Sequence, residues 1–147
     1  MGVKQTVFFA GLILFLSVSL LPQEPDDARD ALGFLSGKYI LIGKRIDSRV
    51  TYSGEVRFRY LEKTNCLEMT RLIAGKTVKG TARIEPVLGG EAQVLRLAFT
   101  EDGVEYQGTF LWRGDLDNFG RLSGYIYVKG TFPKDPGLEA YFIAPGE

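Results

Sequence analysis

Histidine is absent from this 147-residue chain, and cysteine and tryptophan occur once each, as Cys66 and Trp112. The missing imidazole removes the commonest general base and the commonest nitrogen ligand for zinc or haem iron. A barrel holding haem through a proximal histidine is therefore disfavoured. A lone cysteine forms no internal disulfide, so the fold rests on its core or on association. Neither a Gly-x-Ser-x-Gly elbow nor a phosphate-binding loop is present. No sign of charge dominates either: 18 Lys and Arg face 18 Asp and Glu, interspersed along the chain as on a solvated outer face. Nothing in that balance points to nucleic acid as a partner.

Long apolar runs are also scarce, with one exception at the N-terminus. Lys4 precedes an uncharged run from Val7 to Leu21, 15 residues long, and Pro22 ends it ahead of Glu24 and Asp26-Asp27. A basic start, a short apolar stretch and small residues at Ser17 and Ser19 form the layout of a secretory signal. The run falls short of the roughly 18 residues that span a bilayer, so residues 1–19 are expected to be a cleaved signal peptide, with the cut as late as about residue 23. An uncleaved signal anchor is the alternative. Cleavage leaves 17 cations against 18 anions, no stable membrane span and an exported chain, periplasmic or secreted.

Residues 20–36 are expected to form a linker and a short helix, since Ala28, Ala31, Leu32 and Leu35 recur at helical spacing behind two acids that favour the helix start. From residue 37 to 147 the hydrophobic period is two and turn signals recur every 10 to 15 residues or so. Alternation is clearest in Val78, Gly80, Ala82 and Ile84 of the fourth strand, which Pro86 and Gly89-Gly90 are expected to end; Val50, Tyr52, Gly54, Val56, Phe58 and Tyr60 alternate along the second, Tyr106, Gly108, Phe110 and Trp112 along the sixth, and Leu122, Gly124, Ile126 and Val128 along the seventh. The reading is all-β: one domain with eight antiparallel strands in an up-and-down meander, the last near Leu138 to Ala144. An apolar face shared by eight such strands is buried most simply by closure into a barrel, with a two-sheet sandwich as the alternative.

Gly43, Gly54, Gly80, Gly108 and Gly124 all fall on the inner face by parity. Glycine weakens a strand, so its repeated use there means sharp coiling around bulky neighbours or room for a ligand. Arg71 interrupts the inner face between Met69 and Ile73. A buried guanidinium must be paired, which leaves an internal carboxylate, an anionic ligand group, or a place near a wet barrel mouth. Tyr125 and Tyr127 face outward, either as a stripe for a protein partner or packed beneath the helix. The acids at Glu101, Asp102 and Glu105, and at Asp115 and Asp117, lie on turns and match neither a glycosidase pair nor a complete calcium loop.

A short helix, then Leu35-Ser36-Gly37-Lys38-Tyr39, then eight meandering strands resembles the lipocalin-like (calycin) barrels. Their first strand opens with Gly-x-Trp, and here Tyr39 stands in the tryptophan's place. The resemblance implies an exported barrel that binds a small, largely apolar molecule at its open end, and an arginine stacked on the aromatic of that motif, for which Arg113 and Arg121 are candidates. With it, the expected ligand contacts are Tyr52, Phe58, Met69, Arg71, Phe99, Tyr106, Phe110 and Trp112, with Arg71 placed to orient an anionic end. No catalytic set, metal site or cofactor is expected. The competing reading is a filled barrel that meets another protein through its outer surface, using Tyr125, Tyr127 and the Gly114 to Gly120 loop.

Overall fold

The computed structural model describes residues 25–113, 121–131 and 133–145. The expected signal segment, and with it the question of cleavage, lies outside the described residues, as does the Gly114 to Gly120 loop with Asp115 and Asp117. Helix α1 (Pro25–Leu35) precedes eight strands: β1 (Gly37–Lys44), β2 (Thr51–Leu61), β3 (Cys66–Ile73), β4 (Lys76–Val87), β5 (Ala92–Glu101), β6 (Val104–Leu111), β7 (Leu122–Val128) and β8 (Gly137–Ile143). Each strand pairs antiparallel with the next, and β8 returns to β1 from Tyr39↔Ile143 to Lys44↔Leu138. The sheet is thus a closed barrel, and the sandwich alternative is excluded.

Parity places the core as the sequence pattern requires. Tyr39 and Leu41, Val56 and Phe58, Leu67 and Met69, Leu95, Leu97 and Phe99, Phe110, Ile126 and Tyr141 are all buried within one cluster. Three boundaries differ from expectation. Val50, assigned to the inner face of the second strand, lies before β2 and is exposed. Trp112 is buried but follows the end of β6. Pro86 does not end β4, which continues to Val87. Pairing explains the last case: β3 leaves β4 at Ala82↔Leu67, so at Pro86 only β5 is a neighbour and a missing N–H on the open side is tolerated.

The five inner glycines are filled by their neighbours. A Cβ on Gly43 would lie 2.5 Å from the Tyr52 ring, and one on Gly108 would lie 2.8 Å from Ile126 Cδ1 and 2.9 Å from Phe110 Cε2. At Gly80 a Cβ would meet the Ala98 carbonyl oxygen first and then Met69 Cε and Phe99 Cβ, both at 2.8 Å, and at Gly54 the Leu72 carbonyl oxygen and then Ile73 Cγ1 at 2.9 Å. Sharp coiling around bulky neighbours, not a void, accounts for these positions.

One end of the barrel is closed by α1. Leu32 and Leu35 are buried among the barrel residues, the Ser36 hydroxyl donates to Leu32 O and accepts from Tyr60 N at 3.1 Å, and the Tyr39 hydroxyl donates to Leu35 O at 2.9 Å. Tyr39 thus fills the closed end, edge-on to Phe58 with centroids 5.7 Å apart. Arg113 lies over the ring of Trp112, 5.0 Å from its centroid, so this candidate stacks on Trp112.

Two outcomes follow at this end. Gly33 is an exposed residue inside α1 with nothing within 4 Å of an added Cβ, so Gly33→Ala should stabilise the fold by about 0.5–1 kcal/mol in a urea titration. Burial pushes the Tyr39 phenol from 10.0 up to about 12. Between those values the unfolded chain releases a proton that the folded chain keeps, so this contribution to stability is complete below pH 10 and is lost as pH rises toward 12. One proton corresponds to a slope of at most about 1.4 kcal/mol per pH unit. Urea titrations across that range should therefore show a shallower decline for Tyr39→Phe than for the natural chain.

Candidate functional site

The opposite end of the barrel stays open. A cavity of about 220 Å³ is lined there by Lys44 at the end of β1, Arg45 and Ile46 beyond it, Tyr52 of β2, Arg71 and Ile73 of β3, Phe99 and Glu101 of β5, Tyr106 of β6, Ile126 of β7 and Gly137 of β8. These residues converge because antiparallel strands alternate their ends: the C-terminal ends of β1, β3 and β5 meet the N-terminal ends of β2, β6 and β8.

Arg71 forms the cavity floor. Its side chain is 4% exposed, and one terminal nitrogen donates to Glu139 Oε1 of β8, a carboxylate with no side-chain exposure. The same oxygen accepts the Tyr52 hydroxyl, and the Tyr141 hydroxyl donates to Glu139 Oε2 at 2.5 Å. Of the three fates open to a buried arginine on this strand, an internal carboxylate is the one realised. The guanidinium also lies over Phe99, 4.2 Å from its centroid, and Phe99 stacks on Tyr106 at 5.2 Å with planes 16° apart.

The electrostatics of this group favour tight hydrogen bonds over proton transfer. Burial, then the neighbouring Glu139 charge, raises the Tyr52 phenol, and the same two causes hold Tyr141 well above its ordinary value. Burial alone would lower Arg71, but Glu139 and the two tyrosines outweigh it and the guanidinium is held more firmly protonated. The two phenols therefore act as donors to the carboxylate.

Of the eight residues expected to contact a ligand, Tyr52, Arg71, Phe99 and Tyr106 line this cavity. Phe58, Met69, Phe110 and Trp112 do not; they lie 2%, 0%, 0% and 5% exposed in the packed interior between the cavity and α1. Sequence reasoning left the inner face of the last strand unassigned and so missed Glu139 and Tyr141. The available signal was the alternation Leu138, Glu139, Ala140, Tyr141, which puts a carboxylate and a phenol on one face two residues apart.

Elsewhere, the rim charges are mostly paired: Lys44 with Asp135 at 2.5 Å, and Lys76 with Glu101 at 3.1 Å and Asp102 at 2.6 Å. Arg45 sits over the Tyr52 ring at 5.5 Å. Cys66 is buried at the start of β3, 3.0 Å from Thr64 Oγ1. No group of three or more potential metal ligands occurs among the described residues.

The outer wall is uneven. On β2 to β4, Glu55, Arg57, Arg59, Lys79, Thr81 and Arg83 point outward and are exposed. Across β6, β7, β8 and β1 the wall instead carries Leu111, Tyr125, Leu138, Ala140 and Ile42 along a shallow apolar groove. Tyr125 is exposed as expected, whereas Tyr127 is half-buried and bonded at 2.9 Å to Arg96, which also reaches Glu85 at 3.0 Å and Thr109.

No protein-family model matches the chain, and no curated protein matches it.

Proposed function

We propose that this protein is an exported, lipocalin-like binding protein, not an enzyme, and that it holds a small, largely apolar molecule in the open end of its barrel. The observation that carries this reading is the cavity of about 220 Å³, with aromatic and aliphatic walls over a buried polar floor. A few placed polar groups among apolar walls are what a small-molecule site needs. A cavity of about 150 Å³ accommodates benzene, so the occupant is of single-ring size or is the inserted end of something longer. Export rests on the N-terminal run from Val7 to Leu21.

The test is a mass spectrum of the purified protein taken once under native and once under denaturing conditions, with calorimetric titration of single-ring compounds. A small molecule lost on denaturation, or saturable one-to-one binding abolished by Ile73→Trp at the cavity wall, supports the reading. Neither result obtained would end it. N-terminal sequencing of the processed protein checks export, with a start between residues 20 and 24 expected.

The shallow apolar groove that Leu111, Tyr125, Leu138, Ala140 and Ile42 form across the outer face of β6, β7, β8 and β1 favours a second reading, an interaction module. An apolar groove fits an apolar partner surface, and the same groove on a second copy meets that description. Sedimentation velocity should then show a concentration-dependent dimer that Tyr125→Glu dissociates; a monomer at all concentrations rejects this reading.

A further inference from the structure

Resting on the reading of the open end as a ligand site, we infer that its ligand is an amphiphilic carboxylate, seated with its apolar part inside the cavity and its carboxylate at the rim on Arg45. The charged residues lining the cavity are Lys44, Arg45, Arg71 and Glu101. Three are already engaged inside the protein: Lys44 by Asp135 at 2.5 Å, Glu101 by Lys76 at 3.1 Å, and Arg71 by the buried Glu139. Arg45 is exposed and has no carboxylate partner among the described residues, the acid of its own loop, Asp47, included.

Arg45 is also held in place for such a contact. Its backbone N–H donates to Val50 O at 3.0 Å, and its guanidinium lies 5.5 Å from the centroid of the Tyr52 ring, itself fixed by the bond from the Tyr52 hydroxyl to Glu139. A guanidinium resting on an aromatic face keeps its N–H edge available, and that fork matches a carboxylate. The surrounding charge has the matching sign. On the β1 to β2 and β7 to β8 side of the opening, Lys44, Arg45, Arg49 and Lys134 outnumber Asp47 and Asp135, whereas on the β3 to β4 and β5 to β6 side Lys76 is outnumbered by Glu101 and Asp102. Depth decides the orientation. Near the floor a ligand carboxylate would lose its water beside Glu139, while at the rim it stays hydrated and meets Arg45. Ile73, Phe99, Tyr106 and Ile126 are left for the apolar part.

Phenylacetate and phenylacetamide share their shape and differ in charge. Titrated calorimetrically at neutral pH and low ionic strength, the carboxylate should bind about fivefold more tightly than the amide. Salt at about 1 M, which cuts the screening length to roughly 3 Å, should remove most of that preference. Arg45→Met should bring the two affinities together, Arg45→Lys should retain part of the preference, and Arg49→Met, at a cation that does not line the cavity, should leave it intact. Equal affinities in the natural chain, or a preference that persists in Arg45→Met, overturn the inference and leave the small-ligand reading standing. A preference lost as fully in Arg49→Met also overturns it, because the rim as a whole then attracts the anion. If neither compound binds, the small-ligand reading falls and this inference with it.

Discussion

Glu139→Ala is expected to lower the free energy of unfolding by about 3–5 kcal/mol, the usual consequence of removing one partner from a buried ion pair. The variant leaves the Arg71 guanidinium enclosed without its carboxylate and leaves the Tyr52 and Tyr141 hydroxyls without their acceptor. The loss reflects stranded groups more than the net worth of the pair, because the attraction in the folded state is largely offset by the water both ions gave up. A partner variant separates the two effects. Arg71→Met combined with Glu139→Gln removes both charges, keeps an oxygen for the phenols, and should recover most of the loss. Urea titration of Arg71→Met, Glu139→Gln and the double variant reads the coupling directly. A loss below about 1 kcal/mol for Glu139→Ala would mean that water reaches the pair, contrary to its burial.

Gly124→Ala should cost about 3 kcal/mol, the upper end of the range for overpacking. A Cβ there would strike the Thr109 carbonyl oxygen and lie 2.7 Å from Phe110 Cα, both backbone atoms of the paired strand β6. Backbone in a closed barrel cannot retreat without disturbing the ladder on its other side, so no rotamer change relieves the contact. The same substitution at Gly33 should do the opposite, since nothing stands within 4 Å. Equal effects at both positions would mean that glycine acts through chain entropy alone and that the close approach of β7 to β6 is irrelevant.

Period-two alternation made the eight strands readable and, in all but the last, their inner faces, as at Phe58, Met69, Phe99 and Phe110, which all lie where parity puts them. Side chains on a strand alternate by covalent geometry, and burial of one face then follows from composition alone. The helix over Pro25–Leu35 was readable for the corresponding reason, an apolar spacing near 3.6 between Leu32 and Leu35 with Ala31. Pro86 was misread because a proline stops a strand only where a neighbouring strand lies on the side its N–H would face, and the register of β3 against β4 is not a local property.

The candidate site was half readable. Tyr52, Arg71, Phe99 and Tyr106 were inner-face residues by pattern, as were Phe58, Met69, Phe110 and Trp112, and nothing local distinguishes the first group from the second. What separates them is height along the barrel axis: α1 fills one end and the shared register of eight strands leaves the other open. Glu139 lies 68 residues from Arg71, and they meet across the barrel interior.

By itself, then, the sequence determined the all-β class, the inward and outward faces, the N-terminal helix and the need of Arg71 for a partner, because each follows from short-range periodicity or from the desolvation of a single charge. Only the tertiary structure decided that the partner is Glu139, that the inner glycines are occupied by neighbouring atoms and that the cavity lies at one end, because each depends on closure, register and packing between residues far apart in the chain.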